Sequence, residues 1–174
     1  MRHGYDLAII KIDDSYPRFR KPIKIAHKKR GRRLSKTYPT EDYFTVFGMG
    51  HTIPIKGGGH TYPKKLEKIE NHRYMRCDLF PWYKDRDDVM CYEVKERKGW
   101  CGGDSGGPIV RDGVLYGIVS GRFWNGNHLA SCSTDAKIIK KKNGSLFLKR
   151  GVVDFSSSVP FYYDWIVENS SIRR

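Results

Sequence analysis

Hydrophobic and polar positions along this chain change over in short runs broken by glycine and proline, a pattern of brief strands rather than long helices. Residues 5–12 form an isoleucine-rich apolar run, closed by Asp13-Asp14-Ser15-Tyr16-Pro17. Residues 43–47 combine aromatic and β-branched side chains ahead of Gly48 and Gly50, as a strand does. Residues 108–110 and 114–119 flank Arg111-Asp112-Gly113 and predict a hairpin. Residues 146–148 and 151–153 are further strand candidates around a basic bend.

Two stretches read as helix. In residues 64–76, Leu66, Ile69 and Tyr74 are spaced for one face. The second follows the start signals Ser158 and Pro160, with Phe161, Trp165 and Ile166 able to share a side over about residues 162–168. There is no internal repeat, linker or low-complexity tract. Short strands, glycine and proline turns and a closing helix predict an all-β domain, a β-barrel with a C-terminal helix.

Composition narrows the class. A chain of 174 residues with 39% hydrophobic and 13% aromatic residues has the size and content of one globular domain. No apolar run approaches the ~20 residues that span a bilayer, so no membrane span is expected. Met1-Arg2-His3-Gly4-Tyr5-Asp6 holds no apolar core of a signal peptide. Lys and Arg number 33 against 19 Asp and Glu, a net charge of +14. Lys28-Lys29-Arg30-Gly31-Arg32-Arg33 and Lys140-Lys141-Lys142 concentrate that charge. Solvated loops are the plainer reading of both runs. An anionic partner through these basic loops is the functional one, and no nucleic-acid motif accompanies them, so no specific nucleic-acid partner is expected. The four cysteines, Cys77, Cys91, Cys101 and Cys132, suit two disulfides in any of three connectivities. They form no paired C-x-x-C spacing, so neither a metal nor another cofactor is expected. Asn143-Gly144-Ser145 and Asn169-Ser170-Ser171 are glycan sequons.

The chemistry concentrates in Trp100-Cys101-Gly102-Gly103-Asp104-Ser105-Gly106-Gly107-Pro108. A nucleophilic serine needs backbone amides aimed at a developing oxyanion, and glycines give the backbone that freedom. The plain alternative is a glycine-rich turn with an incidental serine.

Gly103-Asp104-Ser105-Gly106-Gly107-Pro108 resembles the serine-site motif of the chymotrypsin/trypsin family of serine endopeptidases. Tyr5-Asp6-Leu7-Ala8-Ile9-Ile10-Lys11 is similar to that family's stretch around the triad aspartate. Val46-Phe47-Gly48-Met49-Gly50, Gly117-Ile118-Val119-Ser120 and the stretch from Pro160 to Trp165-Ile166 resemble three further family segments in order. The resemblance implies Ser105 as nucleophile, Asp6 as the group that orients the histidine, and the Gly103 and Ser105 amides as the oxyanion hole. It implies that Asp104 receives the new N-terminus on activation. It also implies disulfides Cys77–Cys91 and Cys101–Cys132, and a third family disulfide whose positions hold Phe44 and Arg111 here. The fold it implies is the second barrel of a two-barrel trypsin-like domain, covering about residues 43–174, with residues 1–12 a strand left over from the first. A secreted protein acting on protein or peptide substrates follows from the same resemblance.

The chain departs from the family in two respects. The catalytic histidine belongs roughly 45 residues before the aspartate, and only five residues precede Asp6. His27, His51, His60, His72 and His128 match no catalytic position and read as surface or structural residues. Loss of the base costs on the order of 10⁶ in turnover, so this stretch, as a truncated form, is expected to be inactive alone. The specificity pocket is unusual as well. Its floor position is Gly99 and its wall reads Ser120-Gly121-Arg122, so no carboxylate stands ready for Lys or Arg unless Asp135 supplies one. A non-catalytic secreted homologue acting as a binding module is the alternative function.

Overall fold

The computed structural model describes residues 6–11, 21–51, 53–54, 60–83, 86–96, 98–125 and 134–170. A short strand β1 (Lys24–Ile25) leads into one helical turn, α1 (Lys28–Gly31), capped by the His27 imidazole, which accepts from the Lys29 amide. Then come β2 (Tyr43–Gly48), the small pair β3 (Ile53–Pro54) and β4 (His60–Thr61), and β5 (Glu67–Met75). Two 3₁₀ turns, Cys77–Leu79 and Pro81–Tyr83, precede β6 (Val89–Glu93). The chain continues through β7 (Pro108–Arg111), β8 (Val114–Asn125), β9 (Lys137–Lys140) and β10 (Leu146–Ser158), and closes with α2 (Val159–Asn169).

Six strands in the order β8-β7-β2-β5-β6-β10 form an antiparallel sheet that returns on itself through β10 and β8. β1 lies parallel to β8 outside this ring and β9 hangs on β10. Closure depends on length. β8 has 12 residues and β10 has 13, enough for β10 to pair with β6, β8 and β9 in turn. The β10–β8 register shifts at Phe155/Ser156, and such an irregularity bends a strand round a barrel corner. The β7–β8 hairpin turns on Asp112 and Gly113, both at positive φ (51° and 69°), the two-residue turn whose twist matches its strands.

Alternation along the strands fills the barrel. Phe44 and Val46 of β2 point inward, and Tyr74, Tyr92 and Tyr116 meet the Phe44 ring edge-on. The other end holds Met75, Phe80, Leu146, Leu148 and Val153 beside the Cys77–Cys91 disulfide. Helix α2 presents Val159, Tyr162 and Ile166, three and four residues apart, to Leu7, Ile25, Leu115 and Ile118. Ser158 caps it, its Oγ accepting from the Phe161 amide. Each such side chain contributes about 1.5–3 kcal/mol by leaving water.

Three expectations are corrected. The stretch read as helix over residues 64–76 is mostly strand β5, paired on both sides by β2 and β6. Residues 6–11, expected as part of a strand over 1–12, run without regular secondary structure, and residues 1–5 and 12 lie outside the described residues. The basic run beginning at Lys28 is a helical turn docked on α2 and not a loop: His27 packs on the Tyr163 ring and Lys28 pairs with Asp164.

Candidate active site

The serine loop is two consecutive tight turns. In the first, the Asp104 amide donates to the Cys101 carbonyl (3.1 Å) across Gly103, at φ 95°. In the second, the Gly107 amide donates to the Asp104 carbonyl (2.9 Å) across Gly106, at φ 84°. Ser105 occupies the exposed corner of that second turn. Only glycine takes the third position of such a turn without strain, which is why the loop reads Ser-Gly. The Gly106 amide donates to Val119 (2.8 Å) and the Val119 amide to Gly107 (2.9 Å), so β8 holds the loop from below. The Gly103 and Ser105 amides meet no acceptor among the described residues.

Asp104 turns inward. Its carboxylate accepts from the Gly50 amide (2.7 Å) and the Cys101 amide (2.8 Å), tying the end of β2 to the serine loop. His51, next in the chain, donates its amide to the Gly102 carbonyl (2.9 Å) and sets its ring against Tyr62.

Asp6 lies against β8 and β10. The Ser120 hydroxyl donates to its carboxylate and the Ser157 hydroxyl to its backbone carbonyl (2.6 Å). A cavity of about 180 Å³ opens beside it, lined in part by Ser120, Tyr83, Arg86 and Ser156. Three histidines are placed elsewhere: His27 packs against Tyr163 of α2, His51 bonds to the serine loop and His72 is inside the barrel. His3 and His128 lie outside the described residues.

Of the residues expected to form the specificity pocket, Arg122 faces a buried carboxylate that sequence reasoning missed. Asp154 of β10, fully buried, stands opposite Arg122 in the β10–β8 register. Its Oδ2 accepts from the Trp100 amide (3.0 Å) and faces His72 Nε2 at 3.5 Å, while its Oδ1 faces Arg122 Nη2 at 3.6 Å. Burial pushes the Asp154 carboxyl above the usual range, against the opposing pull of His72, Arg122 and the Trp100 amide. The Trp100 indole crosses to donate to the Gly121 carbonyl (2.9 Å). Asp135, weighed above as a pocket carboxylate, is exposed at the surface. The available signal was a single acidic residue in the apolar run Gly151-Val152-Val153-Asp154-Phe155.

Cys77 is bonded to Cys91, with Cα atoms 5.1 Å apart. Cys101 is also disulfide-bonded, and its expected partner Cys132 lies outside the described residues. At the positions of the third family disulfide, the Arg111 guanidinium lies over the Phe44 ring, 5.7 Å from its centroid. No described helix is long and apolar enough to cross a membrane.

Residues 1–139 match the family model described as Trypsin. Kallikrein 1-related peptidase b16 of Mus musculus is 38% identical over 81 residues, 41% of this chain and 31% of that protein. Chymotrypsin-2 of Vespa crabro is 31% identical over 119 residues, 66% of this chain and 49% of that protein. Among solved structures, mouse neuropsin, a serine protease, shares the fold with a TM-score of 0.55 at 20% identity, over 85% of this chain and 53% of that one. The chain thus spans between 31% and 49% of these two curated relatives.

Proposed function

Because the chain belongs to the trypsin family, we propose that it carries the nucleophile and the aspartate of a serine endopeptidase. The observation that carries this reading is in β8: adjacent residues hold the two groups, Val119 through the amide and carbonyl of the serine loop and Ser120 through the Asp6 carboxylate. In this reading Ser105 Oγ attacks the scissile carbonyl, and the Gly103 and Ser105 amides receive the oxyanion. Asp6 holds the tautomer of a histidine base, and that histidine is none of those the described residues contain. Asp104 fixes the loop and receives the new N-terminus on activation. The substrate is a protein or peptide, and two disulfides in a chain of this size suit secretion.

The test is labelling of the natural protein with a fluorophosphonate, followed by peptide mapping. The label is expected on Ser105, absent in Ser105→Ala and slowed about 10⁴-fold in Asp6→Asn. Folded protein that takes no label at Ser105 overturns the reading. The 174-residue chain alone is expected to hydrolyse no peptide.

An anionic partner accompanies this reading. Lys29, Arg30, Arg32 and Arg33, in and after α1, make no ion pair with a described carboxylate. A sulfated glycan column should retain the chain until salt is raised, and reversal of these charges to Glu should lower the eluting salt. One observation favours the non-catalytic homologue as a second reading: Arg122, expected in the wall of the specificity pocket, pairs with the chain's own buried Asp154 at 3.6 Å.

A further inference from the structure

A cleft of about 670 Å³ opens among the α1 segment, the approach to β6 and the start of α2, within the ~300–1,000 Å³ of ligand pockets. Lys28, Arg32 and Lys36 reach it from the α1 segment. That segment is firmly mounted on α2: a Cβ on Gly31 would stand 2.6 Å from Pro160 Cβ, His27 packs on Tyr163 and Lys28 pairs with Asp164. Arg76 and Arg86 also line the cleft, but each is already forked onto a carboxylate, Asp78 and Asp88. Arg32 and Lys36 are exposed and make no ion pair with a described carboxylate. The lining is apolar as well as basic. Leu34 and Met90 belong to the barrel core, so the cleft reaches the edge of that core, and Phe161 of α2 is 48% exposed. Asp87, also exposed, is the lining carboxylate that has no ion pair among the described residues.

We propose that this cleft binds a short acidic peptide segment of a partner protein, with its carboxylates on Arg32 and Lys36 and one apolar side chain against Phe161 and the edge of the core. The proposal rests on the anionic-partner reading above and narrows it to one class of partner and one place. Two unpaired cations suit a few carboxylates, whereas a polysulfated chain is held by many cations spread along a surface. A sulfated sugar also has no apolar side chain to bury, and burial of one is what the core edge and Phe161 offer. Asp87 repels a carboxylate placed beside it, so the acidic end of the segment lies at Arg32 and Lys36.

The probe is a dye-labelled pentapeptide with two acidic residues on each side of one phenylalanine, titrated with the chain in fluorescence anisotropy at low salt. Saturable binding is expected, weakened about tenfold when alanine replaces the phenylalanine of the peptide. Arg32→Glu/Lys36→Glu should weaken it by at least about tenfold. Lys29→Glu/Arg30→Glu makes the same change of charge outside the cleft and should weaken it by less than about threefold. All four positions are exposed, and equal melting temperatures check that both variants fold. The comparison of the two peptides needs no variant at all. Absence of saturable binding, equal losses in the two variants, or indifference to the phenylalanine overturns the proposal. A chain that a sulfated glycan column retains but the peptide does not bind keeps the anionic-partner reading and loses this one. A chain that binds the peptide through Arg32 and Lys36 but passes the column keeps this site and loses the broader attraction.

Discussion

Asp88 joins the approach to β6 to the start of the closing helix. Arg86 donates to it through Nε (2.6 Å) and Nη2 (2.7 Å), and Tyr162 of α2 adds its hydroxyl (3.2 Å). Its backbone carbonyl accepts the amide of Ser158, the residue that caps α2 (2.9 Å). Burial pushes the carboxyl up, but the Arg86 pair and the Tyr162 hydroxyl outweigh it and hold Asp88 below the usual carboxylate range. A carboxyl lowered by folding stabilises fully above its unfolded pKa and loses that contribution as pH falls through the folded one. Asp88→Asn keeps the shape but cannot take the forked arginine as an anion, so it should lose about 1.5–3 kcal/mol in urea unfolding at neutral pH. The gap to the natural chain should close as the solution is acidified below about pH 4. A gap independent of pH would assign the loss to packing.

Strands β2 and β7 meet where the resemblance implied a cystine and the chain has Phe44 and Arg111. Thr45 pairs with Val110 and Val46 with Ile109, so the next antiparallel pair is Phe44 with Arg111. Antiparallel neighbours stand about 4.5–5.5 Å apart at Cα, inside the range a disulfide accepts. Phe44→Cys/Arg111→Cys should therefore oxidise to a bond found by non-reducing peptide mapping. A loop this long gains about 4 kcal/mol from closure, and emptying the Phe44 site costs about 3–5 kcal/mol. The oxidised variant is expected within about 2 kcal/mol of the natural chain, and Phe44→Ser/Arg111→Ser several kcal/mol below it. Failure to oxidise would show that the strands do not pair in this register. Elements whose cues lie close together in sequence were legible before the structure: the hairpin from Asp112-Gly113, and α2 from Ser158 and Pro160. Strand β5 was misread for a physical reason. Its register against β2 steps from Phe44–His72 to Val46–Ile69, so β5 carries one extra residue there, beside Asn71 at φ 58°. That bulge brings Ile69, His72 and Tyr74 toward the inside at spacings of three and two, which break the alternation of two and resemble a helical face. The serine loop was legible because its turn chemistry is local. The Arg122–Asp154 pair was not, because only the register between β8 and β10 brings those residues together.

The barrel strands pair round a ring, and Ile10, in the segment that does not join it, is the most exposed large hydrophobic side chain among the described residues. Residues 6–11 are anchored at one end, where Ser120 and Ser157 hold Asp6 and Leu7 packs toward α2. Beyond that anchor Ile9 is 38% exposed and Ile10 84% exposed. The leftover strand expected here is thereby changed in kind: residues 6–11 form no ladder, and what they present is apolar side-chain surface. Burying one such isoleucine yields about 1.5–3 kcal/mol, enough to draw two chains together when several contacts add, while the +14 net charge opposes their approach. Association of the isolated chain should therefore rise with salt, as screening removes the repulsion and leaves the apolar attraction. Sedimentation velocity at low and high salt measures this, and Ile10→Lys should keep the chain monomeric at both. Hydrogen exchange supplies the local readout, with amides 8–11 exchanging quickly in the monomer while those of Gly117 to Val119 are protected. Slow exchange across 8–11 in a monomer, or association that falls with salt, would place the attraction elsewhere, in charge pairing between the basic turn at α1 and an acidic surface of a second copy.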